Sequence, residues 1–207
     1  MKPVSDLFTR LLPRVVGCPE PLALQALVDS TAEFCEKSLV IRHTLETVST
    51  QPDLQTYSLD TPSQQRVARV LSVTYNGRTI NAVPPSNPGE MDFGGVPLAY
   101  STRFDGPELL VELYPTPNAT GTMVVQIAAA PLATATSLED ELVTRWYDAV
   151  LAGAWWRLMS MPNQPFTNFD LAAAYAAMYR TETGKALAEG FSGRVQSSRT
   201  TKMRPFA

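Results

Sequence analysis

Apolar residues recur at helical spacing at both ends of this 207-residue chain and at strand spacing through its middle. A 3.6-residue period and a 2-residue period cannot be exchanged, because each places a different set of side chains on the buried face. A helix that starts at Cys18-Pro19-Glu20-Pro21 and reaches about Lys37 or Ser38 carries Leu24, Leu27, Val28, Thr31, Phe34 and Cys35 as one stripe, opposite Asp29, Glu33 and Glu36. Pro19 and Pro21 open that helix in its first turn. A shorter helix precedes it, capped by Ser5 with Phe8, Leu11 and Leu12 on one face, and Pro13 and Gly17 end it. Between Val40 and Pro131 the pattern changes to short runs bounded by turns. Strands are predicted over 44–48, 56–59, 69–75, 79–82, 98–104, 108–114 and 122–128. Asn76-Gly77 between two of these runs is a hairpin signal, since both residues tolerate the positive φ of a tight turn. Helical spacing returns from Leu138 through Leu142, Trp146, Val150, Ala154 and Leu158, with Ser137 as the expected cap. A final alanine-rich helix is capped by Thr167 or Asn168 and runs to about Leu187.

This order predicts an α+β protein. N- and C-terminal helices form a helical bundle, an antiparallel β domain is inserted between them, and an extended C-terminal arm follows. The divisions fall at 1–38, 39–131, 132–190 and 191–207. A chain of this length buries its core without metals or disulfides. Its two cysteines, Cys18 and Cys35, lack the spacing of a disulfide framework or a zinc site and read as reduced thiols. Trp146, Trp155 and Trp156 read as helix-packing residues. The adjacent Trp155-Trp156 pair cannot face one side of a helix, which leaves one of them for a subunit interface.

Composition narrows the chemistry. The only histidine, His43, lies at the end of the first helical region beside Arg42, and no nucleophile-elbow, P-loop, dinucleotide-binding or H-E-x-x-H motif is present. No catalytic residue, metal ligand or cofactor is therefore assigned. No apolar run approaches 18 residues, and the N-terminus, interrupted by Asp6, Arg10 and Arg14, does not read as a signal peptide. Synthesis in a reducing cytosol with no membrane partner is expected. Charged residues make up only 18% and prolines number 17, as expected of a surface that faces protein more than water.

The net charge of −3 conceals a division. The last 17 residues carry Arg194, Arg199, Lys202 and Arg204 with no acid, which leaves −7 on the first 190. This segment has little apolar content with which to order itself. It reads as an arm that docks on a partner, the basic side chains meeting acids and Met203 and Phe206 filling apolar pockets. The loop 84–95 presents Met91 and Phe93 among prolines and glycines as a second candidate contact.

Several blocks together resemble the head-to-tail adaptor, or connector, proteins of tailed bacteriophages. They are Leu11-Leu12-Pro13, Gly17 to Pro21, Ala32 to Ser38, Tyr57-Ser58-Leu59, Arg69 to Gly77, Arg145 to Ala154, Met161-Pro162, Pro165-Phe166, and the alanine-rich helix with its basic arm. The resemblance implies a non-enzymatic ring, usually twelvefold, below the portal protein in the neck of the virion. It implies that Arg194, Arg199, Lys202, Met203, Arg204 and Phe206 contact the portal. It implies that the loop with Met91 and Phe93 meets a downstream tail component, whether nozzle, stopper or tail tube. DNA would leave through the ring without sequence-specific binding, past a net-negative wall that repels phosphate. The competing expectation is a cytosolic domain that binds a small ligand or acts as a scaffold.

Overall fold

The computed structural model describes residues 1–84, 94–105 and 108–192, with side chains as far as Gly190. In chain order these residues form β1 (Lys2–Pro3), α1 (Phe8–Leu11) between two 3-10 turns, and α2 (Glu20–Ser38). The strands β2 (Arg42–Thr44), β3 (Val48–Thr50), β4 (Thr56–Leu59), β5 (Gln65–Tyr75) and β6 (Arg78–Ala82) follow. Then come β7 (Ala99–Asp105), β8 (Glu108–Tyr114), β9 (Gly121–Pro131) and β10 (Ser137–Leu138). The helices α3 (Asp140–Thr144), α4 (Tyr147–Met159) and α5 (Phe169–Ser192) complete the chain.

The expected helical bundle with an inserted antiparallel β domain is not what forms. The protein is mostly β, built on one eight-stranded sheet ordered β2-β9-β5-β6-β7-β8-β4, with β3 pairing β9 beyond β2. The sheet is not purely antiparallel, because β6 and β7 run parallel at Asn81–Ala99 and Ala82–Tyr100. It curls into a half-barrel. Two irregularities in the β5–β9 register, at Ala68 and Leu71, account for part of the curl, since an unpaired residue sharpens the local right-handed twist. They also break the alternation read from the sequence. Val73 and Tyr75 are buried, but Arg69 is exposed and Leu71 only half-buried.

The helices do not stand apart from the sheet. The last residues of β9, Ala129 and Ala130, are fully buried in the same core as Leu27, Phe34, Val150 and Leu158. Met123, Val125 and Ile127 of the same strand enter a second core with Tyr57, Leu59, Leu109, Val111 and Leu113. Sequence reading missed this continuation because alanine is a weak strand former and Gln65-Arg66 at the start of β5 are polar. Burial of a side chain such as Phe34 contributes about 2–3 kcal/mol.

Other expectations need correction. Ser137 does not cap a helix; it sits in β10, paired with Pro3 of β1. The predicted helix from Leu138 to Met161 is two, α3 and α4, separated at Trp146, whose ring packs 5.7 Å from that of Phe34. The six residues read as its apolar stripe are nonetheless all buried. The run 44–48 divides into β2 and β3, and His43 lies in β2 rather than at a helix end. Ser5 makes no capping bond, whereas Asn168 does cap α5, its Oδ1 accepting the Leu171 amide at 3.0 Å. Asn76 and Gly77 have φ of 48° and 78°, as the tight hairpin requires. Cys18 and Cys35 are free thiols, and burial pushes the Cys35 thiol far above its usual value.

Three helices meet at Gly153 of α4. Ser30 Oγ of α2 donates to Val150 O at 2.8 Å, and the Tyr179 hydroxyl of α5 donates to Ser30 O at 3.1 Å. A Cβ at Gly153 would lie 2.0 Å from Ser30 Oγ and 2.7 Å from the Tyr179 ring. Gly153→Ala gains up to about 1 kcal/mol of helix propensity. Overpacking costs about 1–3 kcal/mol, and a contact this short falls at the upper end. The variant is therefore expected to unfold at lower denaturant concentration, whereas Gly184→Ala, which meets nothing within 4 Å, is expected to be more stable than wild type.

Glu33 of α2 joins the same assembly through Arg157 of α4 and Lys37. Burial raises its carboxyl pKa, but the hydrogen bonds and charges of Lys37 and Arg157 outweigh that and hold it below the usual carboxylate range. A depressed pKa stabilises the fold above the unfolded value near ~4.3, and that contribution is lost as pH falls through the folded value. Glu33→Gln should therefore weaken the fold at pH 7 and shrink its further loss on acidification below pH ~4, measured by denaturation across pH.

Candidate assembly surfaces

The sequence-predicted contact residues Met91, Phe93, Arg194, Arg199, Lys202, Met203, Arg204 and Phe206 lie outside the described residues. The structure does describe the bases from which both segments leave. The loop leaves after β6, where the Val83 amide donates to Tyr100 O at 2.8 Å, and returns at Gly94 and Gly95 beside the Gly121 end of β9, while the arm leaves after α5.

At the Gly121 end, three turns are tied together. Gly95 donates its amide to Thr116 O at 2.8 Å and accepts from the Asn118 amide at 3.1 Å, and the Asp53 amide donates to Pro117 O at 2.9 Å. The Tyr57 hydroxyl donates to Leu54 O at 2.7 Å and accepts from the Gln51 amide at 3.1 Å. Burial pushes the Tyr57 phenol above its ordinary value, so it remains a neutral donor. The Tyr75 hydroxyl donates to Ala119 O at 3.3 Å, and Thr50 Oγ1 accepts the Gly121 amide at 3.0 Å. Around this base Leu54, Val96 and Leu98 are exposed, Val96 and Leu98 by more than 60%. These side chains are displayed on ordered backbone, which lowers the entropic cost of binding them to a partner.

At the other end of β9, α5 finishes against the sheet. Gly190 packs so closely that a Cβ there would lie 3.2 Å from Ser38 O and 3.4 Å from Arg42 Nη2. Leu39 ends α2 in the left-handed region at φ 52°, and Arg42 Nε donates to Leu39 O at 3.1 Å. Arg145 pairs with Glu189 and, at 3.8 Å, with Glu141. The arm therefore departs from a fixed point at the helix–sheet junction.

Along α5 a third surface is exposed. Ala172, Ala176 and Tyr179 are buried, while Phe169, Leu171, Ala173, Ala174, Ala177 and Met178 face outward, with no charge from Leu171 to Tyr179. The alanines read from the sequence as permitting close helix approach serve both faces. Neither tryptophan of the Trp155-Trp156 pair is left unengaged. Trp155 Nε1 donates to Leu11 O at 3.2 Å and its ring lies 5.0 Å from Tyr175, while Trp156 lies 6.0 Å from Tyr179. Sequence reading did not single out Leu54, Val96, Leu98, Phe169 or Leu171. Their flanking prolines and helix-cap residues mark turns and helix starts, but nothing local says which way an apolar side chain there will point.

A family model described as SU10 adaptor protein matches residues 3–205. The chain belongs to the SU10 adaptor protein family. This membership is consistent with a phage head-to-tail adaptor and confirms the resemblance read from the sequence. An adaptor of this family is a structural phage protein, and membership implies interaction with portal and tail components in the virion neck. No curated protein matches the chain. Among the described residues of this adaptor, no group of three or more His, Cys, Asp or Glu is placed to hold a metal ion, and no helix is long and apolar enough to cross a membrane.

The tied turns carry a test. A Cβ at Gly121 would fall 2.3 Å from Tyr75 Oη, and the Tyr75 ring is buried and bonded to Ala119. Gly121→Ala should destabilise the fold by about 1–3 kcal/mol. Hydrogen exchange should also speed in 115–122, while the amides of α4 should change only as far as global stability does.

Proposed function

We propose that this adaptor is one subunit of a ring, twelvefold as is usual in the resembling proteins, seated between the portal and the next tail component. The observation that carries this is the distribution of exposed apolar side chains. Leu54, Val96 and Leu98 are exposed around the turns where the loop returns, and Phe169, Leu171 and Met178 are exposed on the outer face of α5. Clustered apolar exposure marks protein contact, and two separate surfaces suit a subunit touched by several partners at once.

In this reading the outer face of α5 meets a neighbouring subunit. Residues 85–93, with Met91 and Phe93, meet the nozzle, stopper or tail tube. Residues 193–207 reach the portal through Arg194, Arg199, Lys202, Met203, Arg204 and Phe206. A positively charged arm meeting acidic portal groups speeds and orients docking, and the apolar Met203 and Phe206 supply buried area. The first 190 residues, at −7, supply acids for a channel wall along which DNA slides without adhering. The work is mechanical and electrostatic, with no catalytic step, and is done in the virion after synthesis in the host cytoplasm.

Two variants separate the contacts. Leu171→Asp/Met178→Asp changes exposed residues, so it should fold normally yet lose ring assembly on purified portal, read by native mass spectrometry. A chain ending at Ser192 should keep its fold and lose portal binding. Unchanged portal complexes from both variants would contradict the proposal.

A further inference from the structure

The half-barrel has an unclosed seam. The sheet path ends at β2 and β3 on one side and at β4 on the other. Residues 43–48 and 58–62 face each other there across a groove of about 440 Å³. Each edge uses one side for pairing, β2 and β3 with β9 and β4 with β8. Among the described residues no backbone hydrogen bond joins 43–48 to 58–62. The outer edges are therefore templates for an added strand.

The groove states what it would accept. The buried side chains of Leu45 and Leu59 lie at its base, the exposed carboxylates of Glu46 and Asp60 stand at its rim, and no Lys or Arg lines it. An extended, basic segment rich in small and β-branched residues fits this best. Residues 193–207 have four basic side chains, no acid, and Val195, Thr200 and Thr201 among serines. They also begin in the right place. Gly190, packed on Ser38 and Arg42, lines a cavity of about 330 Å³ with Val40 to His43, Glu139, Glu141 and Glu189. That cavity and the seam share His43. Fifteen extended residues reach about 50 Å, whereas the edge from Arg42 to Val48 needs about 20 Å.

We propose that in the free subunit residues 193–207 of the same chain add as a strand between the 43–48 edge and β4, parallel to β2 and antiparallel to β4. The added strand closes the half-barrel and stores the arm. It also covers edges that would otherwise pair with other chains before assembly. Storage concerns the free subunit alone and stands or falls independently of what the arm contacts in the particle.

Limited trypsin digestion of the full chain, with fragments read by intact mass, tests this at Arg194, Arg199 and Lys202. Cleavage there should be at least about tenfold slower than in a synthetic peptide of residues 191–207, because it tracks the released population. Glu46→Lys/Asp60→Lys should speed it about three- to tenfold, the size expected of two exposed charge pairs. Added salt should do the same in the wild type. Asp6→Lys/Glu20→Lys, an equal charge change at exposed sites elsewhere, should have no such effect. Hydrogen exchange should show protection at 44–48 and 57–60 that the Glu46→Lys/Asp60→Lys variant loses while α4 stays protected. Cleavage at the peptide's rate, or protection indifferent to Glu46 and Asp60, would overturn the proposal. Protection that grows with protein concentration would place the arm on a second copy and would overturn it equally.

Discussion

Strand β9 is the constraint on which the rest of the structure depends. Its first half buries Met123, Val125 and Ile127 inside the curled sheet, and its last residues, Ala128 to Ala130, are fully buried where α2 lies across the strand. Larger side chains there would push the helix away, and smaller ones would leave voids that a close-packed interior does not tolerate. One strand thus fixes both layers.

The helical layer repeats the same logic at Gly153, where the absence of a side chain lets Ser30 and Tyr179 meet across α4. Arg157 and Glu33 tie α2 to α4 on the partly exposed side of that crossing. Among the protein's exposed large apolar side chains, Leu54, Val96 and Leu98 lie on turns and Phe169, Leu171 and Met178 on the outer face of α5.

Much of this was legible in the sequence wherever the local signal and the packing agree. The spans 56–59 and 108–114 match their strands, α2 ends at Ser38 within the expected Lys37 or Ser38, and Asn76-Gly77 makes its hairpin. The architecture was not legible. The strand read over 122–128 stops short of Ala129 and Ala130, so the joining of sheet to helices was invisible, and the bundle expected from the terminal helices was the wrong frame. Ser137 looks like a cap until β1 is seen to pair with it, a contact 134 residues away in sequence. The contact segments themselves, 85–93 and 193–207, were read from composition and lie outside the described residues. The exposed side chains at their bases emerged only from the fold. The family, by contrast, was carried by ordered blocks spread along the whole chain.

Cryo-microscopy of the neck of the assembled particle tests the central claim most directly. The account predicts a closed ring of this half-barrel fold immediately below the portal, with the outer face of α5 against a neighbouring subunit and residues 193–207 on the portal. A neck without this fold, or a ring joined with α5 facing solvent and the arm away from the portal, would contradict it.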